Sequence, residues 1–260
     1  MTETLLRTRS DVAGLATPAE YVDGVADGYR QRGAGAPAEP RTALFGDEPP
    51  GMLTSYSAIL PEDGYMGGYT YSAGFGESDA WFMTPLFDAE SGEPLALLDG
   101  ASMNPFKTGA TGAVGVDSLA REEAETVGLI GSGAQARGQL RATATVRDLT
   151  AVDVYSPTEA HREEFADEMT ETLGVDVTAV ENGLAGSRRG DDDIRVGDGD
   201  QLAPGTHVTA MGQYHPKKRE LDTTTIEQST YVPDLRDRVM QDAGSFIHAV
   251  EAGVVDESHI

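Results

Sequence analysis

Thr126-Val127-Gly128-Leu129-Ile130-Gly131-Ser132-Gly133-Ala134-Gln135-Ala136 is the stretch that decides how this chain is read. Thr126 to Ile130 has the length and composition of a short buried strand, and a helix is expected from the glycines to about Arg147. Gly131 permits a tight turn between them, and Gly133 lets backbone approach a pyrophosphate. The third position, Ala136, must be small so that helix and strand pack closely. Around Ala134 and Gln135 the helix start offers free N–H groups and a positive dipole end to phosphate. The string alone also fits a glycine-rich turn, so its surroundings decide.

Those surroundings alternate strand and helix. Ala151 to Tyr155 reads as a second strand. Ser156-Pro157-Thr158-Glu159 reads as a capping box opening a helix with Phe165, Met169 and Leu173 on one face. Gly174 closes that helix and Val175 to Val180 forms a third strand. Short connections in a βαβαβ order predict one half of a Rossmann-type doubly wound parallel sheet, and the dinucleotide reading of the glycines follows. The tip of the second strand chooses between NAD and NADP. No carboxylate stands there to bind a ribose 2′-hydroxyl, and Asp153 alternates with apolar residues and points elsewhere. Ser156 and Thr158, with His161 and Arg162 nearby, suit a 2′-phosphate, although Ser156 is equally explained as a helix cap. The reading leans to NADP, with NAD as the alternative.

Upstream the grammar differs. Thr17-Pro18-Ala19-Glu20 is a capping box before a helix ending at Gly33. Residues 34–50 read as a Gly/Pro/Ala-rich loop broken by Arg41 to Phe45. Met52 to Leu98 holds short β-branched and aromatic runs separated by turn residues, which predicts a mostly antiparallel sheet. Residues 108–124 read as a small-residue helix. The expected class is therefore α/β: a mixed α+β domain over 1–107 and a nucleotide-binding domain over 108–260.

Composition excludes much else. The 260 residues carry 44 acidic against 19 basic side chains, net −25, and only Lys107, Lys217 and Lys218 are lysines. No clustered positive charge serves nucleic acid or an anionic membrane surface. A folded chain with this self-repulsion suits strong salt, where the Debye length is ~3 Å at 1 M, and the lysine scarcity favours a halophilic cytoplasmic protein over an ordinary acidic one. The absence of cysteine removes disulfides, thiolate catalysis and iron–sulfur clusters. No run approaches the ~18 apolar residues of a membrane span, and Met1 to Arg9 is no signal peptide.

Several strings resemble the ornithine cyclodeaminase/mu-crystallin family, which includes archaeal alanine dehydrogenases and ketimine reductases. They are Leu86 to Ala96 with Asp99-Gly100, Lys107-Thr108-Gly109-Ala110 where the family has Arg-Thr-Ala-Ala, and Gly128 to Gln139. Leu202 to Val208 and Arg219-Glu220-Leu221-Asp222 match a later strand and turn. The resemblance implies a substrate and dimerisation domain beside a central Rossmann domain, a homodimer, and NAD(P)-linked redox chemistry on a small amino or imino acid. It implies Arg41 and Lys107 as carboxylate-binding bases. It also implies a cofactor site of Thr108, Gly131, Gly133, Ala134, Gln135, Ala136, Ser156 and Thr158. Ammonium lacks the bidentate fork of guanidinium, so Lys107 keeps the charge and loses the geometry.

The chain also departs from the family. The expected substrate-site lysine falls on Tyr69, and the cyclodeaminase acid/base aspartate falls near Tyr214. Catalytic candidates are Lys107, Tyr214 and His215, the last also fitting a solvated turn beside Pro216. Loss of the aspartate favours a reductase or dehydrogenase over ornithine cyclisation. Gly183 to Asp200 is acidic where a buried strand is expected. A flexible acidic loop, calcium binding by Asp191, Asp192, Asp193, Asp198 and Asp200, and an out-of-frame segment are the three readings. Written in GC-rich codons and shifted one base, Gly186 to Arg195 becomes an apolar strand and a Thr/Ser turn. The chain stops at Ile260, where the family is expected to return to the substrate domain; a chain without that segment is expected to fold poorly. A non-catalytic nucleotide binder and a degenerate product are the competing functions.

Overall fold

A computed structural model describes residues 3–75, 80–181, 199–212 and 215–260. The chain divides into two compact units, Met1–Ala110 and Thr111–Ile260.

The first unit is built on one six-stranded sheet. Its elements are β1 (Leu5–Arg7), α1 (Arg9–Val12), α2 (Pro18–Gly33), β2 (Ala38–Asp47), β3 (Pro50–Leu60), β4 (Tyr65–Ala73), β5 (Ala80–Asp88) and β6 (Pro94–Asp99). The strand order is β1-β6-β5-β4-β3-β2. Strands β2 to β6 pair antiparallel with their sequence neighbours, as the turn spacing predicts, and β1 joins β6 in parallel. Residues 34–50 are thus mostly strand, not loop. Pro40 lacks the ladder N–H, and it sits at a register shift between Glu39 and Thr42 on the edge strand β2, where proline is tolerated.

Helix α2 starts as the capping box requires: Glu20 N donates to Thr17 Oγ1 at 3.3 Å and Thr17 N to Glu20 Oε2 at 2.7 Å. Its far end is tied to the β3–β4 turn by buried Gln31. That amide donates to Asp27 and Asp63 and accepts from Glu62 N. Helix α3 (Gly100–Leu119) begins eight residues before the predicted 108 and ends before the predicted 124. Asp99 accepts from Ser102 N at 3.0 Å and so caps the new start, and Pro105 is carried inside the helix.

In the second unit β7 (Thr126–Ile130), α4 (Ala134–Val146), β8 (Ala151–Tyr155), α5 (Glu159–Leu173) and β9 (Asp176–Ala179) follow the predicted alternation. The sheet order is β7-β8-β9, all parallel, one half of a doubly wound sheet. Val152 and Val154 of β8 pack against Leu140 of α4 and Phe165 and Met169 of α5. Gly174 ends α5 at φ +69°, the left-handed conformation that glycine adopts without strain.

The capping box at Ser156 does not form. Ser156 is buried at the end of β8, and Thr158 is the residue before α5, with no side-chain cap bond. Helix α5 starts two residues later than the box requires, at Glu159, while Ser156 stays buried beside the sheet.

A second core joins Leu221, Ile226, Val239, Phe246 and Ala249. It belongs to α6 (Thr223–Gln228), α7 (Val239–Asp242) and α8 (Gly244–Glu251). Residues 202–208, read as a strand, carry no regular structure beyond a turn. The acidic segment, with its calcium and frame-shift readings, lies outside the described residues except at Gly199 and Asp200, as does Tyr214.

Candidate active site

The candidate nucleotide site is formed by one turn of the second unit. Strand β7 delivers Gly131, whose N–H donates to Tyr155 O at 2.8 Å and whose φ of +109° only glycine accepts without strain. Gly133 is the residue before α4, extended at φ −86°, ψ −173°, and no side chain caps the helix start. A Cβ added at Gly133 would meet nothing within 4 Å, so the approach to the first amides of α4 is open. Ala136 is buried against the sheet, where a larger side chain would separate helix from strand. Uncapped amides, open backbone and the helix dipole fit a pyrophosphate.

Arg137 holds this turn in place, a role that sequence reading missed. It donates to Ser132 O, pairs with Glu168 of α5 at 2.6 Å, and lies 5.2 Å over the Phe165 ring. An arginine one residue past the small position of the glycine motif is the only trace of this in the sequence.

At the tip of β8 the Ser156 carbonyl accepts from Arg162 at 3.2 Å. Asp153 is exposed between buried Val152 and Val154, as its alternation predicts.

A separate group of candidate residues lies in the first unit. Lys107 of α3 places Nζ 4.5 Å over the Tyr69 ring centroid. Tyr69 donates to Gly100 O at 3.2 Å and stacks on Phe82 at 5.3 Å, with Tyr56 and Tyr71 completing an aromatic cluster. Burial lowers the proton affinity of Lys107 and raises that of the Tyr69 phenol, in each case favouring the uncharged form. Thr108 faces Asn104 at 3.5 Å on α3, and Arg41 lies half-buried beside the register shift of β2.

Beside Tyr69 opens a mainly apolar cavity of about 380 Å³, lined among others by Tyr56, Gly67, Gly68, Thr84 and Leu86. Cβ atoms at Gly67 and Gly68 would stand 2.5 Å from Pro85 O and Tyr56 O. Glycine is required there because neighbouring backbone is too close.

His215 accepts from Lys217 N at 3.1 Å in an exposed turn. Nearby, Glu220 accepts from Gly212 N at 2.6 Å, and burial raises its proton affinity despite that bond. Glu220 was legible only as part of a family string. Among the described residues no cluster of His, Asp and Glu could hold a metal ion, and no helix is long and apolar enough to cross a membrane.

The sequence profile of the ornithine cyclodeaminase/mu-crystallin family matches residues 2–251. A Delta(1)-pyrroline-2-carboxylate reductase of Bacillus cereus is 30% identical over 182 residues, 67% of this chain and 56% of that protein. The chain thus spans just over half the length of the Bacillus reductases it matches. An alanine dehydrogenase of Archaeoglobus fulgidus is 28% identical over 97% of this chain and 80% of its own length. Among solved structures, the Thermococcus litoralis Delta(1)-pyrroline-2-carboxylate reductase in complex with NADH and L-proline superposes with a TM-score of 0.89. It is 28% identical, over 99% of this chain and 84% of that one.

Proposed function

The chain belongs to the ornithine cyclodeaminase/mu-crystallin family, and from that premise we propose that it is an NAD(P)-dependent oxidoreductase of a small amino or imino acid. Alanine dehydrogenase and ketimine reductase are the types that fit, as the Archaeoglobus and Bacillus relatives support. The observation that carries the reading is the open, uncapped turn from Gly131 to Ala136 between β7 and α4.

In this reading Gly131, Gly133, Ala134, Gln135 and Ala136 hold the pyrophosphate, with Thr108, Ser156 and Thr158 completing the cofactor site. Bound nicotinamide supplies or accepts the hydride. Lys107, helped by Arg41, binds the substrate carboxylate, and the aromatic wall around Tyr69 excludes water so that the charge pair gains strength. Lys107, Tyr214 and His215 are the candidates for moving the proton. NADPH is the favoured nucleotide and NADH the alternative, since no carboxylate at the tip of β8 repels a 2′-phosphate. Ornithine cyclisation is disfavoured because Tyr214 stands where that reaction needs a carboxylate base.

We read the protein as a homodimer in a salt-rich cytoplasm. Leu44 and Leu53 pair directly across β2 and β3, and Trp81 continues the row through Ser72, with Met83 in the next row on that face. All four are exposed, an apolar sheet surface that association would bury.

The test is a titration in molar KCl with NADPH and NADH, reading energy transfer from Trp81 to the reduced nicotinamide. Turnover of pyrroline-2-carboxylate and of pyruvate with ammonia follows. Saturable binding and reduction of an imine are expected. A folded protein binding neither nucleotide would leave a non-catalytic or degenerate family member.

A further inference from the structure

The peptide between Ser132 and Gly133 lies at the centre of the glycine turn. Gly131 precedes it at φ +109°, and Gly133 follows at φ −86°, ψ −173°. Glycine on both sides lets that peptide plane rotate at little cost. A trans peptide carries its C=O and N–H on opposite edges, so fixing one fixes the other. Arg137 Nη1 donates to Ser132 O. The Gly133 N–H is thereby turned away from Arg137, at a residue whose surroundings are open to a ligand.

Arg137 is itself held from α5. Its Nε donates to Glu168 Oε2 at 2.6 Å, and its guanidinium lies 5.2 Å over the buried Phe165 ring. A guanidinium presents its donors in a fixed planar fork, so a carboxylate on Nε sets where Nη1 reaches. A second arginine shares that carboxylate. Arg141, one turn further along α4, approaches Glu168 Oε1 at 3.4 Å, and its own Nε is buried without a partner. Among the described residues Arg141 bonds to Glu168 and not to the turn. Arg137 alone carries the position of α5 to the peptide before Gly133.

We propose that Glu168 is a positioning residue for nucleotide binding. By holding the Arg137 guanidinium it fixes the Ser132–Gly133 peptide with its N–H toward the pyrophosphate, without touching the nucleotide itself. The inference rests on the reading of the glycine turn as the nucleotide site.

Charge alone predicts the opposite sign. Glu168→Gln removes a negative charge near a site for polyanions, so simple electrostatics would tighten NADH and NADPH. Loss of positioning weakens them. Calorimetric titrations of both nucleotides should show Glu168→Gln weakened about 5- to 20-fold, within the coupling range of neighbouring groups. Arg141→Gln, which removes the other partner of the same carboxylate, should bind like wild type. Arg137→Gln should bind at least as weakly as Glu168→Gln. The double variant should be no weaker than Arg137→Gln, because Glu168 acts only through that arginine. In turnover the loss should fall on KM for the nucleotide, with kcat nearly unchanged. Arg137→Lys offers a point charge without a fork, so it should be weakened as well, and it replaces Glu168→Gln if that variant does not fold. Affinity equal to or tighter than wild type in the folded variant overturns the inference. Equal losses in Glu168→Gln and Arg141→Gln also overturn it, since they would mark a general tie between α4 and α5. A folded wild type that binds neither NADH nor NADPH overturns the nucleotide reading itself, and the inference with it.

Discussion

Lys107 and Tyr69 meet face-on, the ammonium 4.5 Å above the ring, on a helix and a strand that are 38 positions apart in the chain. The ring offers the cation partial compensation for lost water without neutralising it, so a carboxylate remains the stronger partner. Replacing Lys107 by Met should lower kcat/KM for the imino acid by about 10²–10³-fold while nucleotide affinity stays unchanged.

The same burial has a pH consequence. Lys107 holds its proton less tightly in the folded chain than in the unfolded one, so its burial costs stability below its lowered pKa. That cost fades as pH rises from the lowered pKa toward 10.5. Lys107→Met should therefore raise the urea midpoint at pH 7, with the gap to wild type closing at alkaline pH. Substrate KM should climb over the same alkaline range if, as proposed, the Lys107 ammonium binds the carboxylate.

Gly131 and Gly133 serve different ends, and alanine separates them. At Gly131 the positive φ makes Gly131→Ala cost about 1–2 kcal/mol of stability as well as nucleotide binding. At Gly133 the backbone suits any residue, so Gly133→Ala should leave the unfolding midpoint nearly unchanged and weaken NADH binding by tenfold or more. Denaturation curves read beside nucleotide titrations distinguish the two.

Arg147 closes the far end of α3. Its side chain, only 8% exposed, donates to the carbonyls of Val116, Ala120 and Arg121 and pairs with Asp117. Helix ends leave such carbonyls without partners. Arg147→Ala should cost about 2–4 kcal/mol in urea denaturation.

The exposed row on the sheet predicts assembly. Leu53→Glu together with Trp81→Glu should turn a dimer into a monomer in light scattering, leaving the melting of the isolated chain little changed. Wild type already monomeric at micromolar concentration would remove this part of the reading.

Net charge predicts a salt response. Raising KCl from 0.1 to 2 M should raise the melting temperature by several degrees, with sodium chloride acting similarly, because screening relieves repulsion among 44 acidic side chains. A midpoint indifferent to salt would mark an ordinary acidic protein.

Local chemistry settled in advance whatever depends on neighbours in the chain. Thr17 with Glu20 forms its cap, Gly174 takes the left-handed turn, and β7, α4 and β8 lie within a residue or so of where apolar periodicity sets them. The glycine turn was legible for the same reason: a strand, a tight turn and a helix start interact within eleven residues. Contacts between distant segments escaped. Strand β1 has three exposed residues and exists only because β6 offers an open edge. Proline in β2 is tolerated only because that strand is an edge, and Ser156 fails as a cap because β8 carries it inside. The pairing of Lys107 with Tyr69 comes from helix placement and strand register, which no local pattern encodes. Periodicity and turn chemistry thus determined the elements and the nucleotide turn from the sequence by itself. Tertiary structure alone decided the cavity beside Tyr69, since burial and cross-strand proximity arise only once the sheet has closed.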